Sequence, residues 1–262
     1  MPTTLPLYQV DAFTSTMFHG NPAAICPLDT WLPEATMQKI ALENNLSETA
    51  FFVKEGEVYH IRWFTPTVEI ALCGHATVAT AHVMIEHLGI RANPIHFTCM
   101  SGPISVKKKE DVYFLDFPSQ ELTAAPHQDS LTQALGAIAQ KTYRGTHAYF
   151  LVFEEEQQIR NFEPDWNMLL KADMPGICVT APGKDCDFVS RFFAPAKGIN
   201  EDPVTGSAHT GLIPYWSKRL KKETLLAKQI SSRGGLLYCK NHGKRVEIGG
   251  NAITYLEGTI RF

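Results

Sequence analysis

Apolar and polar positions alternate along Tyr8-Gln-Val-Asp-Ala-Phe13, and a short apolar run, Pro22-Ala-Ala-Ile-Cys26, follows Gly20-Asn21. Alternation turns one face of an extended segment inward, so the pair predicts two strands joined by a turn. The period then changes. From Asp29 to Glu43 the apolar residues Met37, Ile40 and Ala41 recur at helical spacing, with Pro33 near the first turn and Asn44-Asn45 as the stop. Strands are predicted again over 46–53, where Glu48 sits at the mouth of an apolar run, and over 59–64, which Thr65-Pro66 breaks. From Ala76 to Leu88 the apolar residues Val78, Ala79, Ala81, Val83, Met84 and Ile85 cover most of a helical wheel, and Gly89 supplies the C-terminal stop. A helix apolar nearly all round must be wrapped by sheet, and predicted strands over 95–98, 104–106 and 112–117 supply one. His82 and His87 on this helix read as structural residues, since nothing there has the H-E-x-x-H spacing of a metal site.

The second half gives the same order less clearly: a linker over 118–126, a helix over 130–139, a strand over 148–153, a helix over 165–172, and strands over 177–181 and 188–193. Asn200-Glu-Asp-Pro-Val-Thr-Gly-Ser-Ala-His-Thr-Gly211 reads as a loop feeding a helix over 208–220, with a kink or early break expected at Pro214. Gly234-Gly235, Gly243, Gly249-Gly250 and Gly258 then punctuate short antiparallel strands. Arg191-Phe-Phe-Ala-Pro195 repeats Arg62-Trp-Phe-Thr-Pro66 at an offset of 129 residues, which sets Cys73 against Asp202 and Gly74 to Thr77 against Pro203 to Gly206. A duplicated unit is implied, with lobes at 1–117 and 118–262 and a last strand free to cross back to the first lobe.

Composition narrows the function. The 262 residues are 44% hydrophobic and 19% charged with a net charge of −3, and the basic cluster Lys218, Arg219, Lys221 and Lys222 falls where a helix ends. Cations there complement the helix dipole, so no nucleic-acid footprint remains. The run around Ile70 to Ile85 is too short and too rich in Gly, His and Thr to span a bilayer, and Met1-Pro-Thr-Thr lacks a basic leader, so a cytoplasmic location is expected. Six scattered cysteines without a C-x-x-C pair are expected to be reduced.

The chemistry gathers in a few motifs: Asp11-Ala-Phe-Thr with Gly20-Asn-Pro22, Leu46-Ser-Glu-Thr-Ala50, Cys73-Gly-His-Ala-Thr77 after Phe64-Thr-Pro66, and Glu201-Asp-Pro-Val-Thr-Gly-Ser-Ala208 after Phe193-Ala-Pro195. In this order they resemble the PhzF-type isomerase family (phenazine biosynthesis, PhzF-like). The resemblance implies an α+β, diaminopimelate-epimerase-like fold: two pseudo-symmetric lobes, each a curved, mostly antiparallel sheet around a central helix, with the active site in the cleft between them. It implies an isomerase that moves a carbon-bound proton on a small carboxylated metabolite without cofactor or metal, and a homodimer. By motif position Glu48 resembles the general acid/base, with His75 and Asp202 as catalytic partners and Ser207, Asn21 and Cys73 in substrate binding. The N–H groups of Gly74 and Gly206 resemble those that hold the substrate carboxylate.

Each residue also has a plainer reading. Glu48 could be a surface acid near a helix end, His75 a hydrogen-bonder at a helix start, Asp202 a loop-fixing acid, and Cys73 a small buried residue before Gly74. Cys73 also occupies the first-lobe position of a thiol acid/base in the related epimerases, which keeps a racemase-like alternative open; its expected counterpart, Asp202, is not a thiol. A small-molecule binder that keeps the fold without turnover is the third reading.

Overall fold

A computed structural model describes residues 3–262. The chain divides into two compact units, residues 1–116 with 249–262, and residues 117–248.

The first unit runs β1 (Thr4–Ala12), β2 (Asn21–Leu28), α1 (Glu34–Asn44), β3 (Glu48–Glu55), β4 (Val58–Phe64), β5 (Glu69–Ile70), α2 (Gly74–Glu86), β6 (Ile95–Cys99), β7 (Gly102–Lys109) and β8 (Val112–Pro118), the last crossing its border. The second carries β9 (Thr123–Ala124), α3 (Asp129–Leu135), β10 (Lys141–Arg144), β11 (Ala148–Val152), α4 (Glu156–Arg160), α5 (Trp166–Leu169), β12 (Gly176–Pro182), β13 (Phe188–Ala194), β14 (Ile199–Asp202), α6 (Gly206–Leu220), β15 (Thr224–Gln229), β16 (Gly235–Asn241) and β17 (Arg245–Gly250), the last again crossing the border. Strand β18 (Ala252–Arg261) then pairs antiparallel with β1, so the C-terminal strand completes the first unit.

Pairing inside the units follows one plan. In the first, β2 runs parallel to β3, β3 antiparallel to β4, and β4 both antiparallel to β5 and parallel to β6. In the second, β11 runs parallel to β12, β12 antiparallel to β13, and β13 both antiparallel to β14 and parallel to β15. The sequence repeat is therefore a repeat of topology. Its arginines show why the motif recurs: Arg62 grips Glu69 with two bonds of 2.7 and 2.6 Å and lies over Phe64, while Arg191 grips Glu201 at 2.7 and 2.9 Å and lies over Phe193. A bidentate pair backed by an aromatic face fixes the short strand that leads to each central helix.

Those helices are the cores. Every residue of α2 from His75 to Met84 is buried, and the helix packs on β1, β2, β3, β7 and β18. His82 is held as the sequence implies, with Nδ1 3.1 Å from the Tyr113 hydroxyl and Nε2 2.9 Å from Thr254 Oγ1. In α6, Trp216 stacks on Phe188 at 5.6 Å and donates to Thr180 Oγ1 at 2.9 Å. Pro214 lies inside α6 without ending it, so the early break that the sequence allowed does not occur. The residue that would have bonded to the carbonyl of Thr210 is Pro214, and that carbonyl instead accepts from the backbone N–H of Gln120 at 3.0 Å, so no buried acceptor is stranded.

His209, on α6, donates through Nδ1 to the Thr205 carbonyl at 2.8 Å and is fully buried. Burial lowers its pKa from 6.5 to about 4, against that hydrogen bond, and burial lowers His82 to about 4 as well. With the folded values depressed, the unfolded chain binds more protons in the window from 6.5 down to 4, so the stability these rings contribute is present above 6.5 and lost as pH falls. The unfolding free energy from urea denaturation should fall steadily from pH about 7 to about 5, by up to ~1.4 kcal/mol per unit per ring. His209→Phe should flatten that slope, and an unchanged slope would remove His209 from the account.

Candidate active site

Three chain segments begin at the same place in the first unit. Asn21 opens β2, Glu48 opens β3, its parallel neighbour, and His75 is the second residue of α2. Local sequence fixes each start. Gly20 turns in the left-handed region at φ +67° to deliver Asn21, and Asn45 caps α1 at φ 49° so that the chain swings into β3.

The result is a buried polar cluster. His75 Nε2 lies 3.1 Å from Glu48 Oε2, within ion-pair reach but off the line of a straight hydrogen bond, and their side chains are 6% and 14% exposed. On the other edge of the ring, Nδ1 lies 3.2 Å from the Asn21 amide nitrogen and 3.5 Å from Cys73 Sγ. Burial opposes charging His75, but its contacts with Cys73 and Glu48 outweigh burial and hold it well above 6.5. Burial first, then the charge of Glu48, raises the Cys73 thiol, with His75 opposing. Cys73 is accordingly harder to ionise than a free thiol, while Cys73 and Glu48 together favour the imidazolium. Because the folded value is raised, the stability this ring contributes is complete below 6.5 and is lost as pH rises through the folded value.

Glu48, Cys73 and His75 each offer a possible metal ligand, all within 4.8 Å of one another. Yet the two ring nitrogens divide them, Nε2 toward Glu48 and Nδ1 toward Cys73 and Asn21. One ion could take only one of the two ring nitrogens.

The second unit holds its own group. Asp202 ends β14 and accepts from Thr205 Oγ1 at 2.6 Å, while α6 begins at Gly206 without a capping bond from the Thr205 side chain. Ser207, the second residue of α6, is exposed. Gln229, absent from the sequence reading, clamps this turn: its amide donates to the Asp202 carbonyl at 2.7 Å and accepts from the Thr205 N–H at 2.9 Å. Gly74 and Gly206 are the first residues of their helices, so their N–H groups are among those that a helix start leaves without an internal partner. A pocket of about 510 Å³ lined by Thr123, Arg144, Thr146 and Tyr149 holds none of these residues, and its Arg144 is committed to Asp173 at 3.0 Å.

The repeat does not carry these side chains into both units. Glu48 pairs across from Ala23 and starts β3; the matching residue, across from Ala148 at the start of β12, is Gly176. A Cβ there would come within 2.5 Å of the Phe192 ring, so no carboxylate fits. The residue before each central helix is Cys73 in one unit and Thr205 in the other, which corrects the sequence pairing of Cys73 with Asp202. The 129-residue offset slips at this point, since the helices start 206 − 74 = 132 residues apart.

Comparison with known proteins agrees with this architecture. The family described as phenazine biosynthesis-like protein, PhzC-PhzF, matches residues 10–258. A Pseudomonas aeruginosa protein named as an uncharacterized isomerase is 48% identical over 257 residues, 98% of each chain. A PhzF-family crystal structure from Enterococcus faecalis superposes with a TM-score of 0.96 at 49% identity, covering 98% of this chain and 99% of that one. A hydroxyproline epimerase from Agrobacterium vitis, at 11% identity, covers 99% of this chain and 93% of its own with a TM-score of 0.65, a likeness of fold alone. The fold is thus of the diaminopimelate-epimerase-like class. The chain belongs to the PhzC-PhzF family.

Proposed function

We propose that this chain, an isomerase by family, moves a carbon-bound proton on a small carboxylated metabolite, with Glu48 as the base that removes the proton and the acid that returns it. The observation that carries the reading is the buried Glu48–His75 pair, 3.1 Å apart at the start of α2. An adjacent imidazolium can absorb the change in charge as Glu48 gains and loses a proton. The N–H groups at the start of α2, Gly74 among them, offer a positive end for a substrate carboxylate or for enolate-like charge. To Asp202, Ser207 and the Gly206 N–H we assign the remaining polar contacts with substrate. The reaction needs no cofactor, and a homodimer in the cytoplasm is part of the same proposal.

The racemase-like alternative has weaker support. It wants a second thiol, and the counterpart of Cys73 is Thr205. The test is incubation in D₂O with a panel of small carboxylates, dihydro-hydroxyanthranilate and α-amino acids included, followed by mass spectrometry. Deuterium entering carbon on a panel member supports the isomerase; tight binding without exchange would replace it with a binder.

A further inference from the structure

The edge of His75 that faces away from Glu48 contacts a residue with no evident acid/base chemistry. Asn21 is fully buried, and its amide lies 3.2 Å from Nδ1. An amide nitrogen can only donate, so in this arrangement Nδ1 is an acceptor and the single proton of the neutral ring sits on Nε2, toward Glu48. When the ring is charged, Nδ1 also carries a proton and requires an acceptor. The amide oxygen is attached to the same carbon as the nitrogen, and half a turn about the terminal bond brings it to the same place without any change of charge.

We propose that Asn21 is a positioning residue that keeps the His75 ring seated in both of its protonation states by turning its amide end for end. Neither an ionised Asp, which only accepts, nor an apolar residue, which does neither, can do this. The groups facing the ring are Glu48 from β3, Cys73 from the residue before α2, and Asn21 from β2. Cys73 Sγ, at 3.5 Å from Nδ1, is the weaker of the two partners on that edge. Complete burial suits a residue that acts through His75 better than one that touches substrate. Gly20 ties the residue down from the other side, since its left-handed turn sets where β2 begins.

The inference rests on His75 serving as the relay, but its test requires no turnover. NMR titration of the His75 ring, with both nitrogens resolved, is compared between the wild type, Asn21→Asp and Asn21→Leu. A carboxylate locked against Nδ1–H should raise the titration by about one unit or more, a tenfold change in proton affinity, and Leu should lower it by a similar factor. The wild-type ring, once neutral, should carry its proton on Nε2. If the isosteric Asn21→Asp variant titrates within about 0.3 unit of wild type, or the neutral ring is protonated on Nδ1, the proposal is overturned. Should Asn21→Leu fail to fold, Asn21→Asp decides alone. Loss of carbon exchange on every substrate with these shifts intact would sink the isomerase reading and leave this one standing.

Discussion

Glu48→Gln should lower proton exchange on the substrate carbon by about 10²- to 10⁴-fold, the range that a positioned acid/base group supplies, while the chain stays folded. Glutamine keeps the shape of the side chain and loses only the ability to take up and return a proton. His75 then loses the carboxylate 3.1 Å from Nε2 that favours its charge, so its titration should move down together with the activity. Folding should survive because the ring can shed its proton rather than remain an unpaired buried charge. Kinetics, far-UV circular dichroism and the His75 titration on one preparation check all three. A variant that retains wild-type exchange would take Glu48 out of the chemistry.

Gly20→Ala should be among the most damaging single-methyl changes in the chain. The residue sits at φ +67°, and an added Cβ would lie 2.1 Å from the carbonyl oxygen of Ala12, a backbone atom that cannot swing aside. The left-handed conformation costs an alanine about 1–2 kcal/mol, and forcing β1 and β2 apart adds about 1–3 more. Gly56 provides the comparison, with φ +65° but nothing within 4 Å of an added Cβ, so Gly56→Ala should show only the conformational cost. Urea denaturation of the two variants checks this, and equal losses would show that the contact with Ala12 is unimportant. Because Gly20 delivers Asn21, the Gly20 variant should also disturb the His75 titration while the Gly56 variant leaves it alone.

What could be read in the sequence was what neighbouring residues dictate. The helix apolar on every side became α2, buried along almost its whole length. The Arg-aromatic-Phe repeat marked two equivalent strands, because a bidentate ion pair over a ring needs those residue types in that order. Glu48, His75, Cys73 and Asn21 were singled out one by one, and the structure brings these four together. The parts missed depend on distant partners. Gln229 holds the turn at Asp202 from 27 residues away, with no local pattern to mark it. Four strand pairs among the described residues run parallel, joined through long crossovers that alternation alone does not reveal. The helix expected over 130–139 ends at Leu135, because Gly136 turns left-handed there; Ala137 and Ala139 pack on the core from beyond the helix. Pro214 passes through α6 because Gln120, far along the chain, takes up the carbonyl it leaves.

The central claim is that one carboxylate, and not a thiol, carries the carbon-bound proton. It is tested most directly by measuring deuterium wash-in on a responding substrate with wild type, Glu48→Gln and Cys73→Ser side by side. The account predicts that exchange collapses in Glu48→Gln and stays within about tenfold of wild type in Cys73→Ser, whose hydroxyl can still sit beside Nδ1. Exchange that persists in Glu48→Gln and vanishes in Cys73→Ser would contradict it and place the base on the thiol.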